Sequence, residues 1–117
     1  MRKYLENELF WKALEELIRD HPIIIDRAKG TPHPRYPDFV YPADYGYLEG
    51  TVSADGGGID VWVGTVRPPQ VDAVICTVDL FKKDSEIKIL YGCDELEMEQ
   101  IYQTLNNSSM KGIMIKR

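Results

Sequence analysis

Residues 41–63, Tyr41-Pro42-Ala43-Asp44-Tyr45-Gly46-Tyr47-Leu48-Glu49-Gly50 followed by TVSADGGGIDVWV, decide how this chain is read. Aromatic and small residues lead to a turn at Asp55-Gly56-Gly57-Gly58, and the turn opens into an alternating strand over residues 59–63. Alternation places Ile59, Val61 and Val63 on one face and Asp60 with Trp62 on the other. Asp55 and Asp60, with Glu49 shortly before them, are carboxylates brought together across a tight turn. Hard divalent cations such as magnesium take such oxygen ligands. The same spacing also fits a turn-forming Asp55 and an exposed strand residue at Asp60.

Upstream, Leu5, Leu9, Phe10, Leu14, Leu17 and Ile18 recur at three- and four-residue intervals, which predicts a core-covering helix over residues 2–19. Asp20-His21-Pro22 ends it. Ile23-Ile24-Ile25 predicts a short strand, and residues 29–42 form a loop rich in Pro and Gly, of the length that often carries function. Downstream, residues 71–80 and 87–91 read as strands joined by the polar turn 82–86. Asp94 with Glu97 three residues later predicts a capped helix carrying Met98, Ile101, Tyr102 and Leu105. Residues 106–109 stop that helix, and 112–116 give a last short strand. The expected architecture is α+β, one domain over residues 1–117, with strands curled into a small twisted β-barrel between an N-terminal and a C-terminal helix.

Composition narrows the function. The 117 residues are 44% hydrophobic, enough for one core, and 14 Lys plus Arg against 19 Asp plus Glu give a net charge of −5. That balance argues against a general electrostatic grip on nucleic acid or anionic membrane. The absence of a long apolar run or a signal-like N-terminus predicts a soluble, cytoplasmic protein. Cys76 and Cys93 encode neither a disulfide framework nor a thiolate zinc site. With only His21 and His33 present, a metal here needs oxygen ligands.

Two further clusters could carry chemistry. Asp84, Glu86 and Lys88 place two carboxylates and a cation at the hairpin, a pattern that also describes a solvated turn. Arg27, Lys29 and Arg35 accompany Tyr36, Tyr41, Tyr45 and Tyr47. Arg and Lys neutralise phosphate oxygens and a tyrosine hydroxyl can donate to them, although the same residues fit an aromatic mini-core roofed by bases.

Taken in order, these clusters resemble the soluble family I inorganic pyrophosphatases. Their YPADYG-like run and Asp-Gly-Asp-x-x-Asp motif match Tyr41 to Tyr47, Asp55-Gly56 and Asp60. Asp26-x-x-Lys29-Gly30 resembles their Glu-x-Pro-Lys-Gly element, Arg35-Tyr36 their Lys-Tyr pair, and Glu86-x-Lys88 their Asp-x-Lys pair. The resemblance implies a five-stranded OB-type barrel with flanking helices and magnesium-dependent hydrolysis of inorganic diphosphate. It implies catalytic roles for Tyr45, Asp55 and Asp60, and metal ligation by Asp55, Asp60, Asp84, Glu86 and Asp26. Arg35, Tyr45, Lys88 and Lys29 would bind substrate. A homo-oligomer is a further implication.

The pattern is incomplete. The family's middle motif carboxylate falls on Gly57, the hairpin bearing a phosphate-binding arginine has no counterpart, and Asn106-Asn107 stand where a Tyr-Lys pair is expected. Glu49 or Asp38 could supply a missing carboxylate. The principal reading is therefore a diphosphatase of reduced activity. The alternative is a degenerate relative that binds diphosphate, phosphate or nucleotide without hydrolysis. A third reading is an OB-type single-strand binder that stacks bases on Tyr36, Phe39, Tyr41, Tyr45 and Tyr47.

Overall fold

The computed structural model describes residues 2–117. After a 3-10 turn at Arg2–Tyr4, helix α1 runs over Glu8–Asp20, with the Asn7 side chain accepting from the Phe10 amide as its N-cap. The helix therefore begins later than apolar spacing alone predicts, because Asn7 halts the backbone one turn in. Strands β1 (Ile23–Arg27), β2 (Asp44–Leu48), β3 (Ile59–Val63), β4 (Val71–Asp79) and β5 (Asp84–Tyr91) follow. Helix α2 (Glu95–Thr104) and strand β6 (Met110–Lys116) complete the chain. The predicted capping box closes α2: Asp94 accepts from the Glu97 amide at 2.8 Å and Glu97 accepts from the Asp94 amide at 2.9 Å. Glu97 also accepts from the Thr65 amide, which ties the helix start to the segment after β3.

All six strands belong to one sheet of order β1-β2-β3-β5-β4-β6. Every pairing is antiparallel except β3 with β5. The chain leaves β3, passes the place β5 will take, forms β4, and returns through a tight hairpin to fill the gap. Asp79 sets that hairpin by accepting from the amides of Phe81 and Lys82 and from the Ser109 hydroxyl. Lys83 completes it in the left-handed region, at φ 61°.

The sheet is open, which corrects the barrel expectation in both strand number and closure. Closure would require β1 to pair with β6, yet these are the two outer strands with four others between them. The reason is visible in β3, where the neighbours Val61 and Trp62 are both buried although their side chains leave opposite faces. A closed barrel of this size uses one face as its inside. Here each face has its own core. Trp11 and Leu14 of α1 pack with Leu48, Val61, Val71, Val74 and Ile89 on one side. Met98 and Ile101 of α2 pack with Trp62, Ala73, Ile75 and Leu90 on the other, joined by Tyr41 and Ala43. Each fully buried aliphatic side chain contributes about 1.5–3 kcal/mol, so two helix-covered layers outweigh any gain from curling the sheet.

Strand β2, which aromatic composition alone did not delimit, is admitted between β1 and β3 by Gly46. A Cβ at that position would collide with the Ile24 carbonyl oxygen across the β1–β2 ladder. Among the described residues, no helix is long and apolar enough to cross a membrane.

Candidate functional site

Asp60 projects from β3 and Lys88 from β5 on the α2 side of the sheet. The parallel register that aligns Trp62 with Leu90 makes them cross-strand neighbours. The Lys88 Nζ donates to Asp60 Oδ2 at 2.6 Å and lies 3.5 Å from Glu86 Oε1. The three side chains are 5%, 17% and 7% exposed respectively, so the ion pairs are nearly dry. Such pairs cost several kcal/mol per ion to desolvate, and only close geometry with further hydrogen bonds offsets this. Tyr45 supplies one such bond. Its phenol, on β2 opposite Trp62, lies against Asp60, and burial first, then the Asp60 carboxylate, pushes it far above the ordinary tyrosine range. It remains a protonated donor at every physiological pH, with its ring 5.9 Å from the Lys88 ammonium.

Ser53 extends the cluster. Its hydroxyl lies 2.7 Å from Asp55 Oδ1 and 3.2 Å from Glu86 Oε2, linking the glycine turn to β5. Asp55 also accepts from the Gly57 amide at 2.9 Å. The Ser53 and Gly57 donors hold its carboxyl below the usual carboxylate range. Ser53 was not singled out by the sequence; the Ser-x-Asp spacing ahead of a glycine turn is the signal that could have found it.

Tyr45, Asp55, Asp60, Glu86 and Lys88 are thus brought together, directly or through Ser53. The remaining candidates are not. Asp84 begins β5 opposite Asp79, on the Lys88 face of its strand but four residues away. Asp26 occupies the bulge of β1 and is exposed. Glu49 and Asp38 are exposed, and neither side chain contacts the cluster among the described residues.

Lys29 and Arg35 belong to the loop before β2. The backbone of that loop is fastened by Gly30 N to Tyr41 O, Tyr41 N to Thr31 O and His33 N to Phe39 O. Asp44 accepts from the Lys29 amide at 2.8 Å. Inside the loop, His33 packs against Tyr36, Phe39 and Tyr41, and the rings continue through Tyr45 to Trp62. Lys29 and Arg35 are exposed and pair with no carboxylate among the described residues.

Magnesium does not fit this arrangement, which corrects the expectation of a metal-binding centre. Among the described residues, no three Asp, Glu, His or Cys side chains are grouped to hold a metal ion. The physical reason is Lys88: its ammonium lies between Asp60 and Glu86 and already offsets half of their charge, while Gly57 offers no third carboxylate.

No protein-family profile matches the chain. A stretch of 42 residues is 45% identical to the inorganic pyrophosphatase of Bacillus sp. (strain PS3), covering 36% of this chain and 26% of that protein. The chain therefore spans about a quarter of the length of this curated relative. Its fold superposes on an inorganic pyrophosphatase from Neisseria gonorrhoeae with a TM-score of 0.64 at 19% identity, covering 83% of this chain and 84% of that one. An inorganic pyrophosphatase from Helicobacter pylori gives 0.60 at 14%, covering 81% and 83%. The chain is a divergent, low-identity relative of the family I inorganic pyrophosphatases. Against the pyrophosphatase motif, the departure at Gly57 lies in the turn that Asp55 closes. A Cβ there would meet only Asp55 Oδ1 at 3.2 Å. A side chain there would require the Asp55 carboxyl, held by Ser53 and the Gly57 amide, to shift by a few tenths of an ångström.

Proposed function

We propose that this chain is a pyrophosphatase-fold domain that binds a diphosphate-, phosphate- or nucleotide-type anion without hydrolysing it. The observation that carries the reading is Lys88, lodged 2.6 Å from Asp60 and 3.5 Å from Glu86. Two carboxylates and one ammonium retain a net negative charge, so the cluster repels a free polyanion and offers it no electrophile. The anion is held instead by Lys29 and Arg35, whose cations are not spent on internal partners and sit on a loop stiffened by its own ladder and ring packing. Charge-assisted bonds from such groups to phosphate oxygens are about twice as strong as neutral ones. Tyr45 keeps its proton and donates it in a hydrogen bond to Asp60, so the phenol adds no further negative charge to the floor of the site. The names of the relatives concern inorganic diphosphate, which makes that anion the first ligand to try.

The test is calorimetric titration with diphosphate and with ADP, run beside a phosphate-release assay with and without magnesium. Binding without release, weakened at least tenfold in a Lys29→Ala, Arg35→Ala double variant, is expected. Magnesium-dependent release that disappears in Asp60→Asn would replace this reading with hydrolysis.

A further inference from the structure

The rings of the loop before β2 form a pile that begins in the core and ends in solvent. Trp62, 2% exposed, lies 4.5 Å from Tyr45. Tyr45 stacks on Tyr41 at 5.8 Å and 26°, and Tyr41 stacks on His33 at 6.3 Å and 13°. The last ring is Tyr36, 5.1 Å from His33 and 65% exposed, against 7% for Tyr41. Tyr36 is open but its backbone is held. The Arg35 amide donates to His33 Nδ1 at 3.0 Å, the Phe39 amide donates to the Tyr36 carbonyl at 2.9 Å, and Pro37 restricts the residue before it. A tyrosine so fixed has few rotamers left to lose, and a flat partner meets it at low entropic cost. Its sequence neighbour Arg35 is exposed, as is Lys29 at the base of the same loop.

We infer that the anion taken by this loop is a nucleoside diphosphate, with its base stacked on Tyr36 and its phosphates held by Arg35 and Lys29. This ligand class rests on the phosphate grip proposed above and adds a base platform to it. Inorganic diphosphate uses the two cations but leaves the Tyr36 ring in water, whereas a nucleotide covers the ring. Every base has a π-face, so stacking adds affinity without hydrogen-bond readout, by about fivefold or more per base. A single exposed tyrosine carries no such meaning by itself. Tyr36 differs because it ends a packed pile of rings and is joined directly to a cation that meets no carboxylate among the described residues. Charge favours a mononucleotide over a strand: a chain of net charge −5 repels a long run of phosphates, while two cations suffice for one diphosphate.

Calorimetric titration of wild type, Tyr36→Ala and Tyr36→Trp with ADP and with inorganic diphosphate tests this. ADP should bind at least about fivefold more tightly than diphosphate. The ratio of the two affinities should fall at least about fivefold in Tyr36→Ala and be kept in Tyr36→Trp. In proton NMR the adenine H2 and H8 resonances should move upfield on binding, through the ring current of Tyr36, and Tyr36→Ala should abolish that shift. The substitutions are at an exposed position, and thermal melts check that the variants fold. Diphosphate that binds wild type as tightly as ADP, or an affinity ratio unchanged by Tyr36→Ala, overturns the base platform and leaves the phosphate grip standing. Absence of binding by either ligand overturns both.

Discussion

Replacing Lys88 with Met removes the one positive charge between Asp60 and Glu86 while roughly preserving side-chain length. Neither carboxylate can then turn to bulk water easily, since Glu86 is 7% and Asp60 17% exposed. Removing one partner of a buried pair costs about 3–5 kcal/mol, chiefly through the uncompensated charge left behind. The lower end applies here, because Tyr45 still donates to Asp60 and the Ser53 hydroxyl, 3.2 Å from Glu86, can turn its single proton from Asp55 to the stranded carboxylate. For a domain of this size, about 3 kcal/mol is a large share of the ~5–15 kcal/mol total and lowers the melting temperature by roughly 10–20 °C. Urea unfolding of wild type, Lys88→Met, Asp60→Asn and the double variant gives the cycle. Asp60→Asn should recover a substantial part of the Lys88→Met deficit, since it removes one of the two stranded charges. A Lys88→Met protein within 1 kcal/mol of wild type would refute the claim that this ammonium offsets the charge of the cluster.

Gly46→Ala should cost at least about 3 kcal/mol or prevent folding, because the new methyl meets the Ile24 backbone and not a movable side chain; urea unfolding measures it. Asp79 has its carboxyl held low by the Lys82 amide and then by Phe81 and Ser109. Its stabilisation is therefore full above the unfolded value near ~3.9 and fades as pH falls through the lower folded value. Asp79→Asn should accordingly show a smaller drop in melting temperature between pH 7 and pH 3 than wild type. The Cys93 thiol is pushed up to about 12 by burial and by the Glu97 and Asp72 carboxylates, so in dilute solution at pH 8 a maleimide should label Cys76 and spare Cys93 until urea unfolds the chain.

Much of the fold is legible locally. The Asp94–Glu97 capping box, the alternation of residues 59–63 and the stop at Asp20-His21-Pro22 each depend on residues within one turn or strand, and each is present as read. The β4–β5 turn is read less well. Asp84, Ser85 and Glu86 are polar enough to suggest a loop, yet they pair with Asp79, Val78 and Thr77, because a strand end facing solvent on one side tolerates polar residues. The barrel expectation fails for a non-local reason. Alternation predicts which residues share a face, but whether the Asp60–Trp62 face is an outer surface or a second core depends on where α2 lands.

The candidate site divides in the same way. The order of Tyr45, Asp55, Asp60, Glu86 and Lys88 along the chain, and the gap at Gly57, are properties of the sequence alone, and they were sufficient to point to the pyrophosphatase lineage. Which charges face one another was decided by tertiary structure. The parallel β3–β5 register sets Lys88 beside Asp60, 28 residues away, and burial on that face of the sheet turns the neighbour into an internal counter-ion. Residue types determine which charges exist, but strand pairing and burial determine which are offset from within and which, like Lys29 and Arg35, are left facing solvent.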